Sequence, residues 1–264
     1  MKIPGHVALR ALSWRAPDAC SPASYNVAMS MILSIETSCE HGSIALLNGT
    51  DAKNEVLSRS LPVGGNTHSG SLLPAIKQLL AEAELSIKAL DVIAFGRGPG
   101  AFTGVRLACG VAQGLALGAD LPVAAISSLE ALALPHTAQA TRLYCAMDAR
   151  MSEVYVAMFS SENGSLRVVS DAVCVPPDTA PLPDAGQWSG VGTAFAAYRA
   201  QLAARLGTQV NVLDARAVPQ AASIARLAAC NPALWLDAAL AAPDYVRNRV
   251  ALTTAERLAQ GGKA

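Results

Sequence analysis

Charge of either sign is scarce in this chain of 264 residues: 20 Lys and Arg stand against 20 Asp and Glu, 15% in all, for a formal charge of zero. A protein that grips nucleic acid unaided carries a basic excess or a basic stripe. Here only a short cluster near the C-terminus, Arg247 and Arg249, offers one. The signatures of several chemistries are missing too. Six cysteines (Cys20, Cys39, Cys109, Cys145, Cys174, Cys230) are scattered without a CxxC. They are expected to be small buried hydrophobes in a reducing compartment rather than a zinc site or a disulfide frame. His6, His41, His68 and His136 form neither HxxxH nor HExxH, so the helical zinc motif is excluded. No GxSxG nucleophile elbow occurs. No uninterrupted apolar run reaches the roughly 18 residues of a membrane helix. The longest candidate, 111–126, is broken by Gln113, Asp120 and Pro122.

What remains is a globular body, 52% hydrophobic, long enough for one large domain or two modest ones. Residues 1–28 carry Pro4, Pro17 and Pro22 without periodicity or a signal-peptide core. They are expected to lie outside the fold, as an extension or an upstream start, with the native start at Met29 or Met31. From there strands are expected at 32–35, 43–47 and 55–60, and then a helix over 67–84 in which Pro74 would move the start towards Ser71. A strand at 92–95, a glycine turn, a helix over 101–119 and a strand at 122–126 follow. A second unit repeats the rhythm, with strands at 143–147, 154–159 and 166–173 and a proline-rich loop at 175–184. Strand 188–191, helix 194–206, strand 210–213 and helix 218–230 complete it. Two successive units reading approximately β-β-β-α-β-α indicate internal duplication. The expected architecture is α/β, two subdomains with mixed sheets: 29–134 with the returning segment 218–245, then 135–217, and a tail at 246–264.

The most informative run is Gly96-Arg97-Gly98-Pro99-Gly100-Ala101-Phe102-Thr103-Gly104-Val105-Arg106. Strand, glycine turn and helix in that order can place backbone N–H groups around an anion, or can simply be a turn too tight for side chains. Gly96-x-Gly98-x-x-Ala101 matches a relaxed dinucleotide fingerprint. However, Pro99 removes one N–H, and Gly104-Val105-Arg106 stands where a Walker loop needs Gly-Lys-Ser/Thr. A structural turn is the better reading. The helix behind it gathers Thr103, Arg106 and Gln113 on one narrow side with Gly110, Gly114 and Leu117, and is apolar elsewhere. Such a helix is either sandwiched within its own protein or covered by another chain. His68, at the head of the first helix, reads as a cap or surface group. The hairpin 148–155, with Asp148, Arg150 and Glu153, and the segment 243–249, with Tyr245, Arg247 and Arg249, read as local charge pairing or as contacts to a partner or to RNA phosphate.

The segments MILSIETSCEHGSIALL, NTHSGSLLPAI, FGRGPGAFTGVRLACGVAQGLAL, MDARMSEVYVA and APDYVRNRV occur in this order from Met31 to about Val250. Together they resemble the TsaB (YeaZ) family, an accessory subunit of bacterial tRNA threonylcarbamoyladenosine synthesis. Two positions depart from its pattern: Glu36 where the first strand commonly ends in Asp, and Ala101 where Ser is usual. The resemblance implies an actin-like, Hsp70-like fold and a chain without catalytic residues, cytoplasmic and off the membrane. It implies a heterodimer with the paralogue TsaD, which carries the HxxxH metal site, the nucleotide site and the transfer chemistry, and an assembly completed by the ATPase TsaE. The complex moves the threonylcarbamoyl group from its adenylate to the amine of the adenosine beside the anticodon in tRNAs reading ANN codons. ATP, metal and adenylate are thus expected on partner subunits, tRNA is expected through the complex, and homodimerisation is the expected fallback without TsaD. The implied partner contact involves the helices at 67–84 and 101–118, with His68, Leu72, Leu73, Ile76, Phe102, Arg106, Cys109, Gly110, Gln113 and Gly114. Gly96, Gly98, Pro99, Gly100, Thr103 and Gly104 form the family-motif loop. Two rival readings are an ATP-binding sugar-kinase relative and a metallopeptidase-like relative.

Overall fold

Alternation of apolar side chains along the strands builds two sheets around a shared layer of helices. The computed structural model describes residues 30–49, 55–62 and 68–247. The expectations for 1–28, for Arg249 and for most of the tail fall outside them. In β1 (Met31–Glu36), Ile32 points to one face and Leu33 and Ile35 to the other. β2 (Ser43–Asn48) and β3 (Glu55–Ser60) continue antiparallel, while β4 (Val92–Gly98) and β5 (Val123–Ser127) run parallel to β1 and β4. A late strand, β11 (Trp235–Leu236), pairs antiparallel with β5 and gives the order β11-β5-β4-β1-β2-β3. The second sheet contains β6 (Arg142–Asp148), β7 (Val154–Glu162), β8 (Ser165–Val175), β9 (Trp188–Val191) and β10 (Val210–Asp214), in the order β10-β9-β6-β7-β8.

Each sheet is thus an antiparallel meander of three strands extended by two parallel strands on the side of its first. This duplicated order is the actin-like, Hsp70-like α/β arrangement. The first unit has α1 (Ser69–Glu82) between its third and fourth strands; the second has there the loop from Pro176 to Gln187, whose prolines cannot sustain a helix.

Helices lie on both faces of the first sheet. α1 and α2 (Phe102–Ala119) cover the outer face over Leu33, Ile35, Ile93 and Phe95. α3 (Ser128–Ala133) and α6 (Ala221–Cys230) lie between the sheets, in a core that joins Ile32, Val92 and Ile126 to Leu143, Cys145 and Phe159. α4 (Ala194–Ala197) and α5 (Arg199–Leu206) close the outer face of the second sheet. α6 therefore returns to the first sheet after the second is complete. Two serines pin its start: Ser34 Oγ donates to the Ala221 carbonyl at 2.7 Å, and Ser43 Oγ accepts from the Ala221 N–H at 2.9 Å.

Several elements differ from the sequence reading. α1 starts at Ser69 and carries Pro74 inside it. The Gly70 carbonyl, which loses its helical donor, belongs to an exposed residue where water can serve it. The helix expected over 194–206 breaks at Tyr198, whose hydroxyl turns back to donate to Asp148 at 2.9 Å. α3 and β11 were not anticipated. Cys39, Cys109, Cys145 and Cys174 are free thiols, whereas Cys230 is disulfide-bonded, which departs from the expectation of reduced cysteines acting as small buried hydrophobes. α2 is long and apolar enough to cross a membrane by length and composition, with a mean hydropathy of 1.2. Val105, Ala108, Ala112 and Ala116 seat it on its own sheet.

Replacing Ser43 by Ala leaves the buried Ala221 N–H without its acceptor. Urea unfolding should show a loss of about 1–3 kcal/mol, with no change in the slope of the transition.

Candidate functional site

The glycine run takes its shape from the turn that follows β1. A methyl group on Gly96 would overlap the Glu36 carboxylate, one on Gly100 would overlap Ser38, and one on Gly104 would overlap the Thr37 carbonyl oxygen. Three glycines thus admit three successive residues of one turn. Hydrogen bonds fasten the contact: the Ala101 N–H donates to the Ser38 carbonyl at 2.7 Å, and Thr37 Oγ1 donates to the Gly104 carbonyl at 2.7 Å. Glu36 is fully buried. Its carboxylate accepts from the Ser38 N–H at 2.6 Å and from Ser128 Oγ at 2.8 Å. Burial pushes its pKa above the ordinary carboxylate value, and the bonds to Ser38 and Ser128 pull it partway back. The space that a phosphate cradle would use beside these glycines is filled by the chain itself. Burial, with Glu36 and Glu40 nearby, also pushes the Cys39 thiol up to about 12, so it is held as a thiol at neutral pH.

Along α2, the side carrying Phe102, Thr103, Arg106, Gly110, Gly114 and Leu117 is the exposed one. Among the described residues, nothing lies within 4 Å of where a side chain would begin on Gly110, Gly114 or Gly118. Leu117 is 59% exposed, and Leu73 on α1 is 51% exposed. Three residues expected at a partner contact face the other way. Leu72, Ile76 and Cys109 are packed into the core over the outer face of the first sheet, because period-3.6 geometry assigns them to the seam with that sheet. Gln113 is also engaged internally, its amide donating to the Ala238 carbonyl at 2.9 Å. His68 makes no side-chain cap. It lies half-buried over the turn between β1 and β2, with Nε2 3.2 Å from the Cys39 carbonyl and against Gly42.

The C-terminal segment 241–247 is a strap that fastens both lobes. Its Asp244 N–H donates to the Arg97 carbonyl at 2.8 Å, and its carbonyl stands over Gly98, a residue at φ +107°. Tyr245 stacks beside Phe102 at 5.5 Å and accepts a hydrogen bond from Arg106 Nε at 2.6 Å, while the Arg106 guanidinium sits 3.4 Å over the Phe102 ring. Two residues on, Arg247 reaches the second lobe. It donates to the Ala149 carbonyl at 2.8 Å and the Arg150 carbonyl at 3.2 Å and pairs with Glu153 at 2.7 Å. The hairpin it grips holds Arg150, Met151 and Ser152 all at positive φ, without a glycine among them, a conformation that costs L-residues about 1–2 kcal/mol each. Asp148 steadies this turn by accepting the Arg150 N–H at 2.8 Å, and Arg150 also pairs with Glu40 on the first lobe. Arg150, Glu153, Tyr245 and Arg247 are therefore brought together, bonded mainly to one another's lobes. Sequence reasoning missed Ser128 and the inward-turned carboxylate of Glu36; Glu36 had drawn notice only as a departure from Asp.

Gly104→Ala should cost about 3 kcal/mol by urea unfolding, because the new methyl meets backbone rather than a movable side chain. Glu36 gives a pH signature. The folded state keeps its proton at pH values where the unfolded chain, near the ordinary 4.5, has released it. Stability should thus fall as pH rises from about 4.5 towards the raised folded value. Glu36→Gln removes that slope, seen as a flatter curve of urea midpoint against pH than the wild type gives.

Residues 62–255 match the sequence model of the family described as TsaD, tRNA N6-adenosine threonylcarbamoyltransferase. The chain is 39% identical over 180 residues to the tRNA threonylcarbamoyladenosine biosynthesis protein TsaB of Haemophilus influenzae, covering 63% of this chain and 73% of that one. To TsaB of Escherichia coli it is 38% identical over 175 residues, with the same coverage. Among solved structures, YeaZ from Pseudomonas aeruginosa superposes with a TM-score of 0.71 at 37% identity, covering 82% of this chain and 100% of that chain. Agreement in sequence over most of the chain, and in structure over the whole of a solved YeaZ, makes this protein a member of the TsaB (YeaZ) family of tRNA threonylcarbamoyladenosine biosynthesis proteins.

Proposed function

We propose that this chain is a non-catalytic subunit of the threonylcarbamoyladenosine pathway, which pairs directly with TsaD and stabilises it for transfer to tRNA, with TsaE completing the assembly. The observation that carries this reading is the outward side of α2. Among the described residues, Gly110, Gly114 and Gly118 form a shallow lane with nothing packed on it, bounded by Leu117 and by the Phe102–Arg106 stack, and Leu73 of α1 is exposed as well. A lane of glycines lets a partner helix approach closely, and the apolar groups around it supply the dry centre that a lasting interface needs. Backing is provided by the seam of Val105, Ala108, Ala112 and Ala116 against the sheet. The face is thus presented on a rigid element.

In this reading the chain's own residues position and hold; ATP, metal and threonylcarbamoyl-adenylate belong to the partner subunits in the cytoplasm. Phosphate binding at 96–104, as a sugar kinase relative would use, is less well supported, because Glu36, Thr37 and Ser38 occupy the space beside the glycines. A metallopeptidase-like activity finds no cluster of three His, Cys, Asp or Glu side chains spaced to hold a metal among the described residues. Contact with tRNA by Arg150 or Arg247 would compete with the internal bonds that these side chains already make.

Gly114→Glu separates the two uses of α2. With open space around Gly114 and a better helix former in place of glycine, stability should hold or rise by up to about 1 kcal/mol. A charge stranded in the interface should weaken TsaD binding at least a hundredfold. Unfolding midpoints, co-purification with TsaD, and the threonylcarbamoyladenosine content of tRNA in cells carrying the variant read these three outcomes. Undiminished co-purification by a folded variant would sink the proposal. Self-association in the absence of TsaD, if it uses the same lane, should be lost with it.

A further inference from the structure

Phe102, Arg106, Gly110, Gly114 and Gly118 recur every fourth residue, so they form one row along α2. The row is bulky at its start and bare for the rest. At the bulky end the Arg106 side chain is held on two sides. Its guanidinium lies 3.4 Å over the Phe102 ring, and its Nε donates to the Tyr245 hydroxyl at 2.6 Å. Tyr245 is itself anchored on both flanks. The Asp244 N–H before it donates to the Arg97 carbonyl, and Arg247 after it grips the second lobe. The two terminal nitrogens of the Arg106 guanidinium are left over: among the described residues they meet no carboxylate within 4 Å.

A guanidinium stacked on a ring and tied at Nε has already lost much of its freedom, so little more is lost when its terminal nitrogens bind. That planar fork matches a carboxylate or a phosphate with two parallel hydrogen bonds. A phosphate backbone draws on several cations, but the other arginines around the strap are answered: Arg97 by Asp244, Arg150 by Glu40 and Asp148, and Arg247 by Glu153. A second copy of this chain is also a poor source. α2 contains no Asp or Glu, and the acid of α1, Glu82, is paired with Arg59. Two copies meeting through these helices would bring Arg106 no free carboxylate. The remaining source is a different protein seated on the lane that Arg106 heads. We propose, on the TsaD pairing above, that Arg106 receives a carboxylate of TsaD at the end of the glycine lane, and that Tyr245 is the positioning residue that aims it. The strap is then part of the interface, and its hold on the second lobe serves the partner as well as the fold.

Isothermal titration of the full chain with purified TsaD tests it, with unfolding midpoints as the check that each variant is folded. Arg106→Gln should weaken binding at least about tenfold. Raising sodium chloride from about 0.05 to about 0.5 M should weaken the wild type about threefold and the Arg106→Gln variant hardly at all, since the screened pair is gone. Arg106→Lys restores the charge without the fork, and should recover the salt dependence but only part of the affinity. Tyr245→Phe keeps the ring and loses the hydroxyl. It should weaken binding about threefold in the wild type and not in the Arg106→Gln background, which a merely structural role for Tyr245 would not produce. Unchanged binding by Arg106→Gln, beside a loss with Gly114→Glu, overturns the carboxylate contact and leaves the pairing standing; no loss with Gly114→Glu removes the pairing itself. Equal losses from Tyr245→Phe in both backgrounds overturn the positioning role. An Arg106→Gln variant that keeps TsaD but loses tRNA in a filter-binding assay, or loses only self-association in sedimentation, assigns Arg106 to phosphate or to a second copy instead and overturns the proposal.

Discussion

The rest of the molecule depends on one seating: the turn after β1 lies directly on the glycines that lead into α2. Backbone meets backbone at Gly100 and Gly104, the Glu36 carboxylate fills the space beside Gly96, and no side chain larger than hydrogen fits at these three places. That approach fixes the start of α2, and with it the helix's rotation about its own axis. The alanine and valine seam then faces the sheet, and the glycine lane faces outward. The same turn carries Glu36 into the core, where bonds from Ser38 and Ser128 hold its carboxylate. Ser128 begins α3, the helix between the two sheets, so a polar link joins the seating to the inter-lobe layer. Such a link is costly to break on one side only.

Much of this architecture is legible in the amino-acid order. The strands show because apolar residues alternate, and α2 shows because 18 residues pass without proline after a glycine turn. The duplication shows because the order of elements repeats. The glycine run was legible as a turn rather than a phosphate cradle, since Pro99 and the missing lysine spoke against the cradle. What the turn packs against was not. Glu36 ends a strand, where a carboxylate normally meets water, and Ser128, the hydroxyl that helps to hold it, lies 92 residues away.

The faces of the helices were only half legible. Period alone separates a buried stripe from an exposed one, but it did not stop Leu72, Ile76 and Cys109 from being grouped with the outward residues beside them. Long-range polar contacts were invisible. Tyr245 and Arg106 are 139 residues apart, and nothing local in either segment announces their stack. The hairpin at Arg150 to Ser152 hid for another reason: three left-handed residues in a row ordinarily call for glycine or asparagine, and these three positions have neither. Its geometry comes from bonds supplied by Asp148, Glu153 and the strap.

The order of the chain also bears on how the protein is made. The first sheet is laid down early, yet α6, which covers its inner face, and β11, its last strand, follow the whole of the second sheet. A nascent chain emerging from the ribosome therefore has only α3 to lay over the inner face of the first sheet, and leaves Ile32 and Leu47 without α6 until about residue 230 has been added. The strap that ties the lobes arrives later still. Half-made molecules carry a sheet whose inner face is only partly covered through much of synthesis, the interval in which a chaperone has most to shield.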